Sequence, residues 1–248
     1  MWGAVAPAIA EQAGTATYDR SGLGRSPRST GARDLAQLAA DLTDVLQHLG
    51  PGPFVLVGHS WGGPIVRVAA AARPHLVAGL VLVDPTDERC DLFSAPGHQR
   101  QQRLVTPVLP LLARLGLLRL GVRRLAAHLP EPAAAAMRAE DATVAATRAL
   151  VAELERFGDD LRDLRDAPPA LPDVPVTILS GLQPSRVERG QRSALVDAHR
   201  ASAAALAQGR HVEARRSGHH IPFTEPQLVV AEIRRLLDGP TPLQETSP

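Results

Sequence analysis

Ser60 stands at the centre of Gly58-His59-Ser60-Trp61-Gly62, a G-x-S-x-G pattern with an apolar run before it and a helical run after it. Phe54, Val55, Leu56 and Val57 read as a short strand buried on both faces, while Ile65, Val66, Val68, Ala69 and Ala72 recur at helical spacing. A serine on so tight a strand-to-helix turn is held in strained backbone geometry, with its hydroxyl pushed out above the sheet. Gly58 and Gly62 are expected to leave room that side chains would otherwise fill. The start of the helix lies beneath that hydroxyl, so the backbone N–H of Trp61 is the candidate donor to an oxyanion developing on a substrate. Two glycines around a serine also suit a plain turn, but a strand before and a helix after favour the nucleophile.

A serine hydroxyl attacks poorly until a base takes its proton, and the base in turn needs a carboxylate to fix its tautomer. Of the 9 histidines, His219 is the best placed, in the Gly-containing loop Ser217-Gly218-His219-His220 after the last expected strand. His220 points elsewhere on an extended loop, and His59 reads as a structural neighbour of the elbow. For the acid, Asp84 is preferred at the end of the apolar run Gly79–Val83, then Glu188, then Asp87. Asp84-Pro85 also suits a simple strand-ending turn. The Trp61 ring either shapes an acyl pocket or packs against the helices above the sheet. Cys90, the single cysteine, lies among Asp87, Glu88 and Asp91, which disfavour a thiolate, so it reads as incidental.

These residues need a scaffold, and 248 residues with 44% hydrophobic content supply one α/β domain with an insertion. The net charge is only +1, so no overall field favours nucleic acid. Every basic residue is arginine, which excludes lysine chemistry. One cysteine allows neither a disulfide framework nor a thiolate metal cluster. The first residues lack the basic start of a signal peptide, and no apolar run approaches the ~20 residues that cross a bilayer, so a cytoplasmic protein with no membrane span is expected.

Along the chain, residues 2–13 predict an amphipathic helix and Ala16–Tyr18 a short strand. The stripe Leu35, Leu38, Ala39, Leu42, Val45, Leu46, Leu49 predicts a helix stopped at Gly50-Pro51-Gly52. Strands are expected at 54–57, 79–83 and 174–180, with His211–Arg215 alternating like an edge strand. Helices are expected at about 191–208 and 228–237. Alternation of strand and helix implies a parallel sheet with ligands beyond the carboxyl ends of its strands, where Ser60 and Asp84 both fall. Residues 1–85 and 171–238 form the expected core, 86–170 a helical lid, and 239–248 a flexible tail. Within the lid, from Val108 to Leu129, Leu109, Leu111, Leu112, Leu115, Leu117, Leu118, Leu120 and Leu125 are mixed with Arg114, Arg119, Arg123 and Arg124. They read either as an apolar, basic-edged cover for a lipophilic or anionic substrate or, the preferred expectation, as packed core with a solvated arginine face.

The chain resembles the α/β-hydrolase fold serine hydrolases. The resemblance is carried by Tyr18-Asp19-Arg20-Ser21-Gly22-Leu23-Gly24-Arg25-Ser26, Gly58 to Gly63, Leu80-Val81-Leu82-Val83-Asp84-Pro85 and Ser217-Gly218-His219 through Glu225-Pro226. It implies a mostly parallel sheet flanked by helices with a helical lid, Ser60 as nucleophile and His219 as base. In most relatives the acid follows the strand matching 174–180, where this chain has no carboxylate before Glu188; in some it follows the preceding strand, at Asp84. Relatives also carry strands and a His-Gly loop, the source of a second oxyanion donor, ahead of the helix at 2–13. A central strand is therefore expected to be missing between 16–18 and 54–57, by truncation at an internal methionine rather than by degeneration.

The expected activity is cofactor-independent, metal-free hydrolysis of a carboxylic ester or related small apolar acyl substrate through an acyl-enzyme. A non-catalytic relative binding a small apolar ligand or a partner is the alternative from another class. A cofactor-free perhydrolase or haloperoxidase would share the same three residues.

Overall fold

The computed structural model describes residues 1–184 and 190–239, apart from the side chains of 94, 96, 99 and 103. Glu188 and the tail from residue 240 onward lie outside the described residues.

Among the described residues the sheet has four parallel strands in the order β1 (Phe54–His59), β2 (Val77–Val83), β3 (Val176–Gly181) and β4 (Gly209–Ala214). Apolar runs at β2 and β3 suit strands covered on both faces, and all six residues of β3 are buried. Helices α1 (Ala6–Ala10), α2 (Leu35–Leu49) and α3 (Gly62–Ala72) precede or separate the first strands. Asp34 caps α2 by accepting the Gln37 N–H at 2.9 Å. Between β2 and β3 come only helices: α4 (Asp91–Ser94), α5 (Pro96–Val105), α6 (Leu109–Arg114), α7 (Arg119–Ala126), α8 (Ala133–Glu140), α9 (Val144–Leu154) and α10 (Phe157–Asp166). Among the described residues α11 (Arg192–Ala204) lies between β3 and β4, and α12 (Ile221–Thr224) and α13 (Pro226–Leu237) follow β4.

Side-chain alternation along the strands builds a separate core on each face. Leu80, Leu82, Val176 and Ile178 pack beneath α2, α3 and α10, while Val81, Val83 and Leu179 pack against α1, α12 and α13. Ridge-like apolar stripes on α2 and α13 are what the sequence periodicity predicts.

Three expectations fail. Ala16–Tyr18 is exposed and forms no strand, because no neighbouring strand offers it a ladder; among the described residues the sheet ends at β1. The predicted helix at 2–13 is a 3₁₀ turn, Trp2–Ala4, followed by the short α1, where Pro7 sits in the first turn and restarts the helix. The leucine-rich stretch is packed core only at its end, where Leu125 and Leu129 pack with Met137 and Phe223; Leu111, Leu115, Leu117 and Leu120 are each more than half exposed.

The Tyr18 to Ser26 stretch is instead a loop anchored by charge. Arg20 donates twice to Glu153 of α9, at 3.1 and 2.8 Å, and Arg33 donates to the same buried carboxylate at 2.7 Å. Two guanidiniums on one fully buried carboxylate make a paired, hydrogen-bonded arrangement of the kind burial of charge requires.

Candidate active site

The elbow is built from backbone. Ser60 has φ 54°, a left-handed conformation costly for a residue with a Cβ. Three hydrogen bonds hold it there. The Ser60 N–H donates to the Val83 carbonyl at 3.1 Å, and its own carbonyl accepts from Gly63 and Thr86, both at 3.0 Å. The turn is therefore tied both to the end of β2 and to the segment beyond it.

The glycines divide differently from the sequence expectation. A Cβ on Gly58 would lie 2.3 Å from the Gly62 carbonyl oxygen, and one on Gly63 would lie 2.5 Å from the Pro85 Cβ, whereas a Cβ on Gly62 would meet nothing within 4 Å. Gly58 is required by close approach of the elbow backbone, and Gly63, outside the five-residue pattern, by the turn that carries Asp84. Gly62 contributes its backbone and not its missing side chain.

Trp61 directly precedes α3, so its N–H has no acceptor within that helix. Its ring is buried and lies 4.8 Å, centroid to centroid, from the ring of Phe157 on α10. Of the two readings of the Trp61 ring, packing against the helices above the sheet is the one observed.

Asp84 and His219 meet although 135 residues separate them: His219 Nδ1 lies 2.7 Å from Asp84 Oδ2. An ionised carboxylate only accepts, so Nδ1 carries the proton and the lone pair is left on Nε2. Asp84 is fully buried with φ 42°. It also accepts the Gly181 N–H at 2.9 Å and Nη1 of Arg192 at 2.7 Å from both oxygens. Burial alone would push its pKa up, but the hydrogen bond from His219 and the charge of Arg192 outweigh it and hold the carboxyl well below the usual range. Asp87 does not reach this site and instead accepts from Ser202 at 2.7 Å.

His219 sits where its loop and the end of β3 can approach without a side chain between them. A Cβ on Gly181 would lie 2.0 Å from the Gly218 carbonyl oxygen. His59, next to Ser60, donates from Nε2 to the His219 carbonyl at 2.7 Å, and the two imidazoles lie 4.6 Å apart, centroid to centroid. Burial first, then the neighbouring His219, push the His59 pKa down to about 3, so His59 is a neutral donor. The strand that leads into Ser60 thereby also fixes the backbone of His219. The ring of His220 lies 5.3 Å from that of His219 and 6.0 Å from that of Phe223.

Two residues of the site have no signal in the local sequence. Arg192 and His199 are seven apart on α11 and so lie on one helical face. Arg192 grips Asp84, while His199 Nε2 donates to the carbonyl of the next residue, Pro85, at 2.7 Å. That donation leaves His199 Nδ1 to accept from the Ser180 hydroxyl at 2.7 Å, and Ser180 accepts from His211 Nε2 at 2.8 Å. Helix α11 thus clamps the Asp84-Pro85 turn at two points. Only the tertiary fold brings residues 108 positions apart together. Cys90 is buried, and burial raises its thiol pKa, in keeping with an unreactive residue.

A sequence model of the α/β hydrolase fold matches residues 1–110. The lipase LipV of Mycobacterium tuberculosis is 47% identical over 70 residues, 28% of this chain and 26% of the lipase. An AB hydrolase superfamily protein of Gibberella zeae is 26% identical over 263 residues, covering 89% of this chain and 76% of that protein. The solved structure of the epoxide hydrolase CorEH superposes with a TM-score of 0.68 at 20% identity, covering 96% of this chain and 86% of that one. The first curated relatives are matched over between 26% and 37% of their own length.

Proposed function

We propose that this chain, whose fold is that of the α/β hydrolases, is a serine hydrolase that cleaves a carboxylic ester or related acyl substrate. The observation that carries the proposal is the Asp84–His219 hydrogen bond at 2.7 Å beside a serine held at φ 54° between β1 and α3. Asp84 orients the imidazole with its proton on Nδ1. Nε2 then removes the Ser60 proton as Oγ bonds to the acyl carbon, and the carbonyl π electrons move onto oxygen. The oxyanion accepts a hydrogen bond from the Trp61 N–H. When the tetrahedral adduct collapses, the leaving oxygen takes the proton from Nε2, and an ester on Ser60 remains. Water, deprotonated by the same nitrogen, releases the acid and restores the hydroxyl. Opening an epoxide through a covalent ester would need a carboxylate nucleophile, and a serine stands at this turn.

Labelling by a fluorophosphonate, which reacts with activated serines, tests the proposal. The expected result is a stoichiometric adduct on the 248-residue chain that is lost in Ser60→Ala and His219→Ala, with circular dichroism showing all three folded. Hydrolysis of short p-nitrophenyl esters should be lost with it. A folded chain that takes no label and turns over no ester overturns the proposal and favours a ligand-binding relative.

A further inference from the structure

Residues 92–130 contain six arginines and not one aspartate or glutamate, in a chain whose net charge is +1. The remainder of the molecule is therefore net acidic, and the positive charge is concentrated in α5, α6 and α7. Such a segregation has no counterpart in the proposed chemistry at Ser60.

The same helices expose apolar side chains that ordinary packing would bury. Leu104 is 67% exposed, Leu115 62%, Leu117 61% and Leu120 59%, with Val105 and Leu111 also above half. None of these six belongs to a hydrophobic core cluster among the described residues. Arg100, Arg114, Arg119, Arg123 and Arg124 are exposed alongside them. Scattered surface leucines are normal, but a run of them on consecutive short helices, interleaved with arginines, is a surface that lacks its partner.

Chemistry narrows the partner. A second copy of the chain docking through this face would pair it with itself in a two-fold contact, setting arginines against arginines with no carboxylate within residues 92–130 to neutralise them. A nucleic acid would satisfy the arginines but would leave the leucines against a polar, charged backbone. An anionic lipid bilayer satisfies both, because leucines enter the acyl boundary while guanidiniums remain at the phosphate level on their long apolar stems.

Geometry sets the mode of contact. The helical stretches Arg100–Arg114 and Arg119–Ala126 together have the apolar length of a membrane span, but they are bent 83° to each other. At ~1.5 Å per residue neither reaches across a hydrocarbon core of ~30 Å. Two short bent helices with exposed leucines and arginines fit the plane of the interface instead.

We infer that the surface of α5, α6 and α7 docks this protein peripherally onto anionic lipid bilayers, leucines inserted and arginines at the headgroup phosphates. The inference stands apart from the activity proposed for Ser60, so Ser60→Ala should bind lipid as well as the unaltered chain.

The test is co-sedimentation of the 248-residue chain with vesicles of phosphatidylcholine alone or with about 30% phosphatidylglycerol. Binding is expected to be at least about tenfold tighter to the anionic vesicles and to collapse in about 0.5 M salt. Two variants separate the contributions: Leu115→Asp with Leu117→Asp removes the inserted side chains, and Arg119→Gln with Arg123→Gln and Arg124→Gln removes charge. All five positions are exposed, so both variants should keep the fold by circular dichroism, and each should weaken binding about tenfold or more. Equal affinity for both vesicle types, no binding to either, or binding that survives both variants overturns the inference. So does sedimentation equilibrium in which the unaltered chain dimerises and the leucine variant is monomeric, since the occupant would then be a second copy.

Discussion

Arg192 and His219 hold the same carboxylate. Nη1 of the arginine lies 2.7 Å from both oxygens of Asp84, one of which is also 2.7 Å from Nδ1 of the histidine. Asp84 therefore divides its negative charge between a permanent cation and the imidazole that the proposed proton transfer would make cationic. Arg192 fixes the carboxylate in place, but it also reduces what the carboxylate offers the imidazolium.

Replacing Arg192 should separate these effects. In Arg192→Met kcat is expected to fall about tenfold with KM little changed, because an unfixed carboxylate aims His219 less well and that loss outweighs the stronger charge it offers the imidazolium. Stability should fall by about 3 kcal/mol, the low end of the usual loss for a broken buried pair, since Asp84 keeps Gly181 and His219 as donors. Arg192→Lys, which keeps a cation for Asp84, should recover part of kcat. A kcat that does not change while stability falls would make Arg192 a purely structural anchor. Hydrolysis of p-nitrophenyl esters, with urea unfolding alongside, reads both quantities.

A pH dependence of folding arises far from that site. Asp160 is buried beneath the start of α2 and accepts the Leu35 N–H at 3.0 Å. Burial, partly offset by that hydrogen bond and reinforced by Asp34, pushes its pKa up to about 6. A carboxyl raised in the folded state favours folding fully below its unfolded pKa of ~3.9, and that contribution is lost as pH rises through 6. Asp160→Asn keeps an oxygen for Leu35 and cannot ionise. It should stabilise the protein by about 1–2 kcal/mol at pH 8 and by little at pH 4. Urea midpoints at the two pH values check the sign; equal gains at both would remove ionisation from the explanation.

How much of this was legible in the sequence depends on the range of the physics. The elbow strand and helix were readable because apolar periodicity is local, and so was the fold class, because strand and helix alternate. Asp84 and His219 were readable as ends of strands that a parallel sheet must bring to one side. The strand expected at Ala16–Tyr18 failed because a strand exists only with a neighbour to pair with, which three residues cannot report. Leucines 111 to 120 carry a helical pattern whether or not anything covers them, so exposure could not be read from spacing. Arg192 and His199 were invisible because their role depends on where α11 crosses the Asp84-Pro85 turn.

His59 has a role that local pattern suggested only as proximity. As a neutral donor to the His219 carbonyl, it holds the proposed base through the main chain of His219. His59→Ala should lower kcat about ten- to a hundredfold, the scale of a misplaced catalytic group, with KM little changed. His59→Gln carries an N–H that can reach the same carbonyl and should recover much of the loss. If alanine and glutamine are equally poor and the far-ultraviolet spectrum is also altered, His59 supports the elbow and not His219.

The glycines around Ser60 give the sharpest structural prediction, because the three differ only in what a methyl group would meet. Gly58→Ala places Cβ 2.3 Å from the Gly62 carbonyl oxygen, a backbone atom locked in the elbow. Gly63→Ala places it 2.5 Å from the Pro85 Cβ, which is followed by backbone held by His199 and Thr86's bond to Ser60. Neither neighbour can yield without moving Ser60 or Asp84, so each substitution should cost about 1–3 kcal/mol or more and abolish most fluorophosphonate labelling. Gly62→Ala meets nothing within 4 Å and adds a strong helix former at the first residue of α3. It should change stability by less than about 0.5 kcal/mol, in either direction. Thermal unfolding of the three alanine variants ranks them directly. A Gly62→Ala variant as unstable as Gly58→Ala would mean that the turn needs backbone freedom at that position and not merely space.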